Sequence, residues 1–161
     1  MNRRKFLGLG LGLGAAAVML PSTMSAVDFR KTKTSAFEGA NATTVENSMK
    51  ELFGTSKTTV GKVKLKAPDI AENGAVVPLQ VSSKLAGKTV AVFQDANPES
   101  LVAVFTVPAN GIIDYKLRIK LAKTGTVTAV VQDGTTLFSA SKMVKVTAGG
   151  CGGWFKSLSK L

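Results

Sequence analysis

The sequence predicts an all-β fold, an immunoglobulin-like antiparallel β-sandwich of about seven strands with one N-terminal helix. Two observations lead there. Beyond Gly54, apolar residues recur with a period of two in short runs, each closed by a turn rich in Gly, Pro, Asn or Asp. Before Gly54, one window carries the period of an amphipathic helix and a start and stop signal for it.

The chain has 161 residues, and residues 1–26 read as an export signal. Arg3, Arg4 and Lys5 form a basic start, Phe6 to Leu20 a mildly apolar run broken by Gly8, Gly10, Gly12 and Gly14, and Ser22 to Ala26 a small-residue zone. A membrane span needs about 20 apolar residues with few breaks, so no stable membrane anchor is expected. No cysteine stands where a lipid anchor would attach. The twin arginines followed by Lys5, Phe6 and Leu7 favour the twin-arginine route, with an ordinary secretory signal as the alternative. Cleavage near Ala26 leaves 135 residues, enough for one domain with a core.

Residues 27–42 read as a polar lead-in, and the helix and sandwich are expected over 43–147. Thr43-Thr44-Val45-Glu46 fits a capping box, in which threonine and glutamate side chains satisfy opposite backbone donors. Val45, Met49, Leu52 and Phe53 share one face, Glu46 and Lys50 can pair one turn apart, and Gly54 supplies the stop. That face is expected to pack on the sheets, with docking onto a partner subunit as the alternative.

Strands follow in order. Val63 and Leu65 alternate with lysines until Pro68, and Glu72-Asn73-Gly74 makes a turn. Val77, Leu79 and Val81 alternate next, and Pro78, lacking a backbone donor, predicts an edge or bulged strand. Val90 and Val92 open a third strand ending at Asp95-Ala96-Asn97-Pro98. The near-continuous apolar run Leu101 to Val107 suits a central strand. Asn110-Gly111 turns the chain into Ile112–Leu121. Val127–Gln132 and Leu137–Thr147 complete the set as a hairpin across Asp133-Gly134. The Cys…Trp…Cys core of antibody domains is missing, so the likeness is one of architecture.

Past Thr147 the strand pattern stops at Ala148-Gly149-Gly150-Cys151-Gly152-Gly153. Residues 148–153 read as a carrier arm. Glycine at this density loses much entropy on ordering and buries no side chain, so packing does not explain it. Four extended residues beyond Thr147 reach about 13 Å, and a thiolate at the tip is a nucleophile that forms reversible sulfur–sulfur bonds. Lys142, Lys145 and Lys156 supply positive charge that favours a thiolate. Residues 154–161 form an apolar extension in which Trp154, Phe155, Leu158 and Leu161 can share a helical face. The extension either packs on the domain or docks a partner.

Composition narrows the function classes. The chain has no histidine, which removes the usual general base and the commonest metal ligand. One cysteine cannot close an internal disulfide or build a thiolate metal site. No catalytic residues, no metal site and no cofactor are nominated, and an enzyme is not expected. Loss of Arg3, Arg4 and Lys5 with the leader lowers the formal charge from +11 to +8. With one Trp and one Tyr there is no aromatic platform for nucleic acid. Two strands carry basic rows, Lys62, Lys64 and Lys66, and Lys116, Arg118 and Lys120, which are candidate electrostatic docking residues or ordinary solvated faces. From the residues alone, the leading reading is a covalent carrier with Cys151 as acceptor. The alternatives are an exported interaction or structural module whose lone cysteine makes an intermolecular disulfide, and a thiol-redox protein dependent on a partner thiol.

The sequence resembles the SoxY family, the sulfur carriers of periplasmic thiosulfate oxidation. The resemblance runs through Met49-Lys50-Glu51-Leu52-Phe53-Gly54, from Gly61 through Pro68-Asp69-Ile70-Ala71-Glu72-Asn73-Gly74 to Pro78, through Asn97-Pro98, Leu101 to Phe105 and Arg118-Ile119-Lys120, and is most specific at Gly149-Gly150-Cys151-Gly152-Gly153. It implies an immunoglobulin-like fold, a heterodimer with a SoxZ-type subunit, export to the periplasm by the twin-arginine route, and covalent attachment of intermediates at Cys151. It further implies a SoxAX-type c-haem enzyme that loads the carrier, a SoxB-type hydrolase that releases sulfate, and in some systems a sulfane dehydrogenase. Such carriers usually end at the second glycine pair, whereas this chain continues through Trp154 to Leu161.

Overall fold

The computed structural model describes residues 27–147. The leader 1–26, the arm 148–153 with Gly149, Gly150, Cys151, Gly152 and Gly153, and the extension 154–161 with Trp154, Phe155, Leu158 and Leu161 lie outside the described residues.

The period-two runs form strands where expected: β2 (Val63–Lys66), β4 (Val77–Ser83), β5 (Thr89–Gln94), β6 (Leu101–Thr106), β7 (Ile113–Ile119), β8 (Gly125–Asp133) and β9 (Thr136–Val146). Two short strands, β1 (Thr59–Val60) and β3 (Ile70–Ala71), bring the total among the described residues to nine rather than about seven. β2, β4 and β7 make a three-stranded antiparallel sheet. The other sheet runs β1-β9-β8-β5-β6, with β3 also on β9. Val81, Val90, Val92, Ile113, Val127, Val131 and Val144 form the dry core between the sheets. The architecture is therefore the expected immunoglobulin-like sandwich.

The two added strands come from one segment that changes sheets. β1 pairs in parallel with the start of β9, the chain crosses to the small sheet as β2, and β3 returns to the end of β9. Gly61 (φ +119) makes the first crossing, and Lys62 beside it also takes a positive φ of 57. Two-residue strands are too short to show a period, which hides them in the sequence.

Two strand expectations need correction. The apolar run in β6 lies at a sheet edge, half-buried along most of its length. The strand buried along its whole length is β5, an interior strand between β8 and β6, because both faces of the large sheet are covered. β4 is the middle strand of its sheet despite Pro78. β2 ends at Lys66 opposite Gln80, so Pro78 faces a partner on the β7 side alone, and a missing donor is tolerated there.

The second cover of the large sheet is the helix Val45–Phe53. Met49 and Leu52 are buried against Ala91, Phe93, Leu101, Val130 and Leu137, with Val45 and Phe53 alongside. That face packs on the sheet, as expected. Gly54 caps the helix in the left-handed conformation and Lys50 bonds Glu46 at 2.6 Å. The N-cap is Thr44, not Thr43: its hydroxyl accepts from Asn47 N at 3.2 Å, while Thr43 closes a preceding 3-10 turn by donating to Ala40 O. Glu46 is thereby left to pair with Lys50 rather than reach back to the cap.

Residues 27–42 are more than a polar lead-in. Helical turns at Phe29–Thr32 and Thr34–Phe37 bury Ala36 and Phe37 beside the main helix, and Ala42 is also enclosed. Ser48 and Ser100, both fully buried, share a 2.7 Å hydrogen bond, and Ser100 donates to Ala42 O. Apolar residues this widely spaced have no period to read.

Candidate functional site

β9 is the last strand before the cysteine segment, and its end fixes where that segment leaves the domain. The final residues are held on both edges. On one side, β3 pairs in parallel with Ile70 opposite Lys145 and Ala71 opposite Val146. Lys145 N donates to Asp69 O at 2.9 Å and Thr147 N to Ala71 O at 3.1 Å. On the other side, Val146 N donates to Thr124 Oγ1 at 3.0 Å. Each such bond contributes about 1 kcal/mol net, so the strand is fastened up to Thr147, four positions before Cys151.

The strap Asp69–Ala71 is itself tied down. Lys142 donates to Ala67 O at 2.6 Å and its ammonium lies 3.1 Å from Asp69 Oδ1. Gly74 follows in the same loop, where the β7–β8 connection comes close: Leu121 N donates to Gly74 O at 2.7 Å. A Cβ at Gly74 would sit inside contact distance of Leu121 O and 2.9 Å from Val146 Cγ1. Glycine is needed here for closeness, not for an unusual φ.

The neighbouring loops are locked by side chains that mimic backbone. Gln94, fully buried, accepts from Ala96 N and Asn97 N at 2.6 and 2.7 Å. Asn97 accepts from Ala122 N and donates to Lys120 O, both at 2.8 Å, and Asp95 accepts from Thr126 N. Pro68 to Gly74, Asn97-Pro98 and Arg118 to Lys120, three of the stretches that carry the family resemblance, thus meet at one end of the sandwich, around the end of β9. The Glu72-Asn73-Gly74 turn was legible, but the strap's pairing with β9 was not. Its signal was the resemblance over Pro68–Gly74.

The charges near this end are not all available to a thiol. Lys142, expected to favour a thiolate, turns inward and is occupied by Asp69 and Ala67 O. Lys145 is exposed. Lys156 lies outside the described residues.

The two basic rows come together in part. Lys64 and Lys66 on β2 and Lys116 and Arg118 on β7 lie on the outer face of the small sheet, on either side of β4. Three of them, Lys66, Lys116 and Arg118, flank a shallow groove of about 640 Å³ that also includes Pro68, Pro78 and Gln80; Lys64 is not part of its lining. Lys120 follows β7 at the loop end. Lys62 departs: its ammonium lies 4.6 Å from the centre of the Phe138 ring on the large sheet. Among the described residues no group of three or more acidic or cysteine side chains converges as a metal site would require, and no helix is long and apolar enough to cross a membrane.

A family model described as "Sulfur oxidation protein SoxY" matches residues 49–151, so the matched region ends on Cys151. A solved structure of the sulfur carrier protein SoxY from Chlorobium limicola f thiosulfatophilum aligns at 34% identity and TM-score 0.57, covering 64% of this chain and 96% of that one. A superoxide reductase (neelaredoxin) from Ignicoccus hospitalis aligns at 18% identity and TM-score 0.49 over 54% of this chain and 81% of its own, too distant to carry an argument. No curated protein matches. With most of the described domain and the cysteine itself inside one family match, the chain belongs to the SoxY family of sulfur oxidation proteins.

Proposed function

We propose that this chain is a non-enzymatic sulfur carrier in thiosulfate oxidation, holding intermediates on Cys151. The observation that supports it is the family match ending on the cysteine, together with a β-domain fastened up to Thr147. A fixed root and a four-residue tether that can reach at most about 13 Å suit a group that must enter other proteins' active sites.

The chemistry needs nothing from the chain but the sulfur atom. In loading, the Cys151 thiolate and the terminal sulfur of thiosulfate form an S–S bond and release two electrons to a SoxAX-type c-haem enzyme. In unloading, water attacks the terminal sulfonate at a SoxB-type hydrolase. The bond between the sulfonate and the bridging sulfur breaks, sulfate and two protons leave, and a persulfide stays on Cys151. A sulfane dehydrogenase oxidises that remainder where one is present. A SoxZ-type subunit is the proposed partner in a heterodimer, and the periplasm the proposed location, reached through the twin-arginine signal of residues 1–26.

The test is Cys151→Ser in a reconstituted thiosulfate-oxidising system. Loading and thiosulfate-dependent electron transfer should both be abolished while the domain stays folded. Unchanged turnover would remove the carrier assignment.

A further inference from the structure

Two basic rows about fifty positions apart in sequence share one sheet face, and this face adjoins the root of the cysteine segment. Lys66 pairs with Gln80, which pairs with Lys116, so the backbone positions of the two lysines stand about 10 Å apart across three strands. Arg118 lies two residues on from Lys116, about 7 Å along the strand. Among the described residues none of these three cations makes an ion pair. Asp114, the one carboxylate on this face of β7, accepts a 2.6 Å bond from Gln80. Pro68 and Pro78 give the groove an apolar floor.

The groove continues into the clamp on β9. Pro68 precedes the strap by one residue, Pro78 follows Gly74 by four, and Arg118 precedes Leu121 by three. At about 3.3 Å per residue, the groove ends within roughly 13 Å of the strap, comparable to the greatest reach of four residues beyond Thr147. Whatever seats in the groove lies near the end of β9, the last described strand before Cys151 in sequence.

We propose that this groove docks an acidic segment of the protein that receives Cys151, a claim that rests on the carrier reading above. The spacing favours a peptide over a small anion. Seating one sulfate-sized ion between Lys66 and Lys116 would draw two like-charged side chains together over β4, whereas alternate carboxylates on an extended acidic strand repeat every 7 Å or so and meet cations spread over the face. The groove is open, and its cations are exposed rather than convergent. Docking holds the partner beside the arm and raises the effective concentration of the thiol at its entrance.

Thiol–disulfide exchange tests this without any sulfur-oxidising enzyme. The probes are two peptides, one rich in Glu and one in Ser and Gly, each joined by a disulfide to thionitrobenzoate. The Cys151 thiolate attacks the peptide sulfur, the mixed disulfide forms, and the coloured thiolate leaves. At low ionic strength the acidic probe should react at least about tenfold faster than the neutral one with the full chain. The advantage should fall below twofold in 0.5 M salt (about one-third of the Debye length at low-salt conditions near 0.05 M). The triple variant Lys66→Glu, Lys116→Glu, Arg118→Glu, and its milder Gln counterpart, should lose it while keeping the neutral-probe rate. Reversal of Lys33, Lys57 and Lys84, exposed elsewhere on the domain, should keep most of it. Equal rates for the two probes, or a loss in the Lys33, Lys57 and Lys84 reversal equal to that in the groove reversal, would overturn the docking assignment. The neutral-probe rate reports the thiol alone, so this outcome is separable from failure of the carrier reading, which the Cys151→Ser turnover assay decides.

Discussion

Gly74→Ala should loosen the root of the cysteine segment more than it loosens the rest of the domain. The added methyl would meet Leu121 O, a backbone atom that cannot rotate away, and Val146 Cγ1 at 2.9 Å. Overpacking of this kind costs about 1–3 kcal/mol, and stretching the 2.7 Å bond from Leu121 N to Gly74 O removes about 1 kcal/mol more. A total of roughly 3 kcal/mol lowers the melting temperature by roughly 10 °C in a domain of this size. The assay is amide hydrogen exchange alongside thermal melting. Val146 and Thr147 should lose roughly 100-fold of their protection, because their acceptors, Thr124 Oγ1 in the β7–β8 connection and Ala71 O in β3, belong to the two segments that must separate. Gly134→Ala is the control: it takes a left-handed φ of +60 in open space at the far end of β9 and costs about 1 kcal/mol. It should lower the melting temperature without selective exposure of Thr147. The same Val146 and Thr147 protection in both variants would refute the clamp.

Other expectations follow from the helical layer and the strap. Thr44→Ala should cost about 1 kcal/mol in urea unfolding and Thr43→Ala clearly less, because Thr44 holds the cap. Phe37→Ala should cost about 3 kcal/mol, a loss that a loose lead-in would not produce. Glu46 is held below the ordinary glutamate range by a hydrogen bond from Lys50 and by the Lys50 charge. Its contribution to stability is therefore complete above that range and lost as pH falls through the lowered value, and Lys50→Ala should return it to normal in an NMR titration. Lys142→Met should leave the core intact while raising exchange at Lys145 N, whose acceptor is Asp69 O.

The sequence was most readable where one physical period governed a whole segment. Alternation located β2, β4, β7, β8 and β9, and a helical stripe located Val45–Phe53. Position within a sheet was less readable, since it depends on contacts distant in sequence. The run Leu101–Phe105 looks central because it is apolar, yet it lies at an edge, while β5 is the strand covered on both faces. Phe37, Ala36 and Ala42 were missed because three buried residues spread over a polar stretch make no pattern. For the site, a lone thiol among four glycines marked Cys151 by composition. The strap at Ile70–Ala71 was unreadable: a two-residue strand in parallel pairing with a partner some seventy-five positions away leaves no local trace. The basic rows were visible singly, but only the register through Gln80 shows that Lys66, Lys116 and Arg118 flank one groove.

Sulfur bound to one residue is the core of the account, and mass spectrometry reads it directly. Chain isolated without reductant from cells oxidising thiosulfate should carry an added mass of sulfur or thiosulfonate, mapped to Cys151 and removed by reductant. A free thiol in those cells, or a Cys151 found only in a disulfide to another protein, would contradict it.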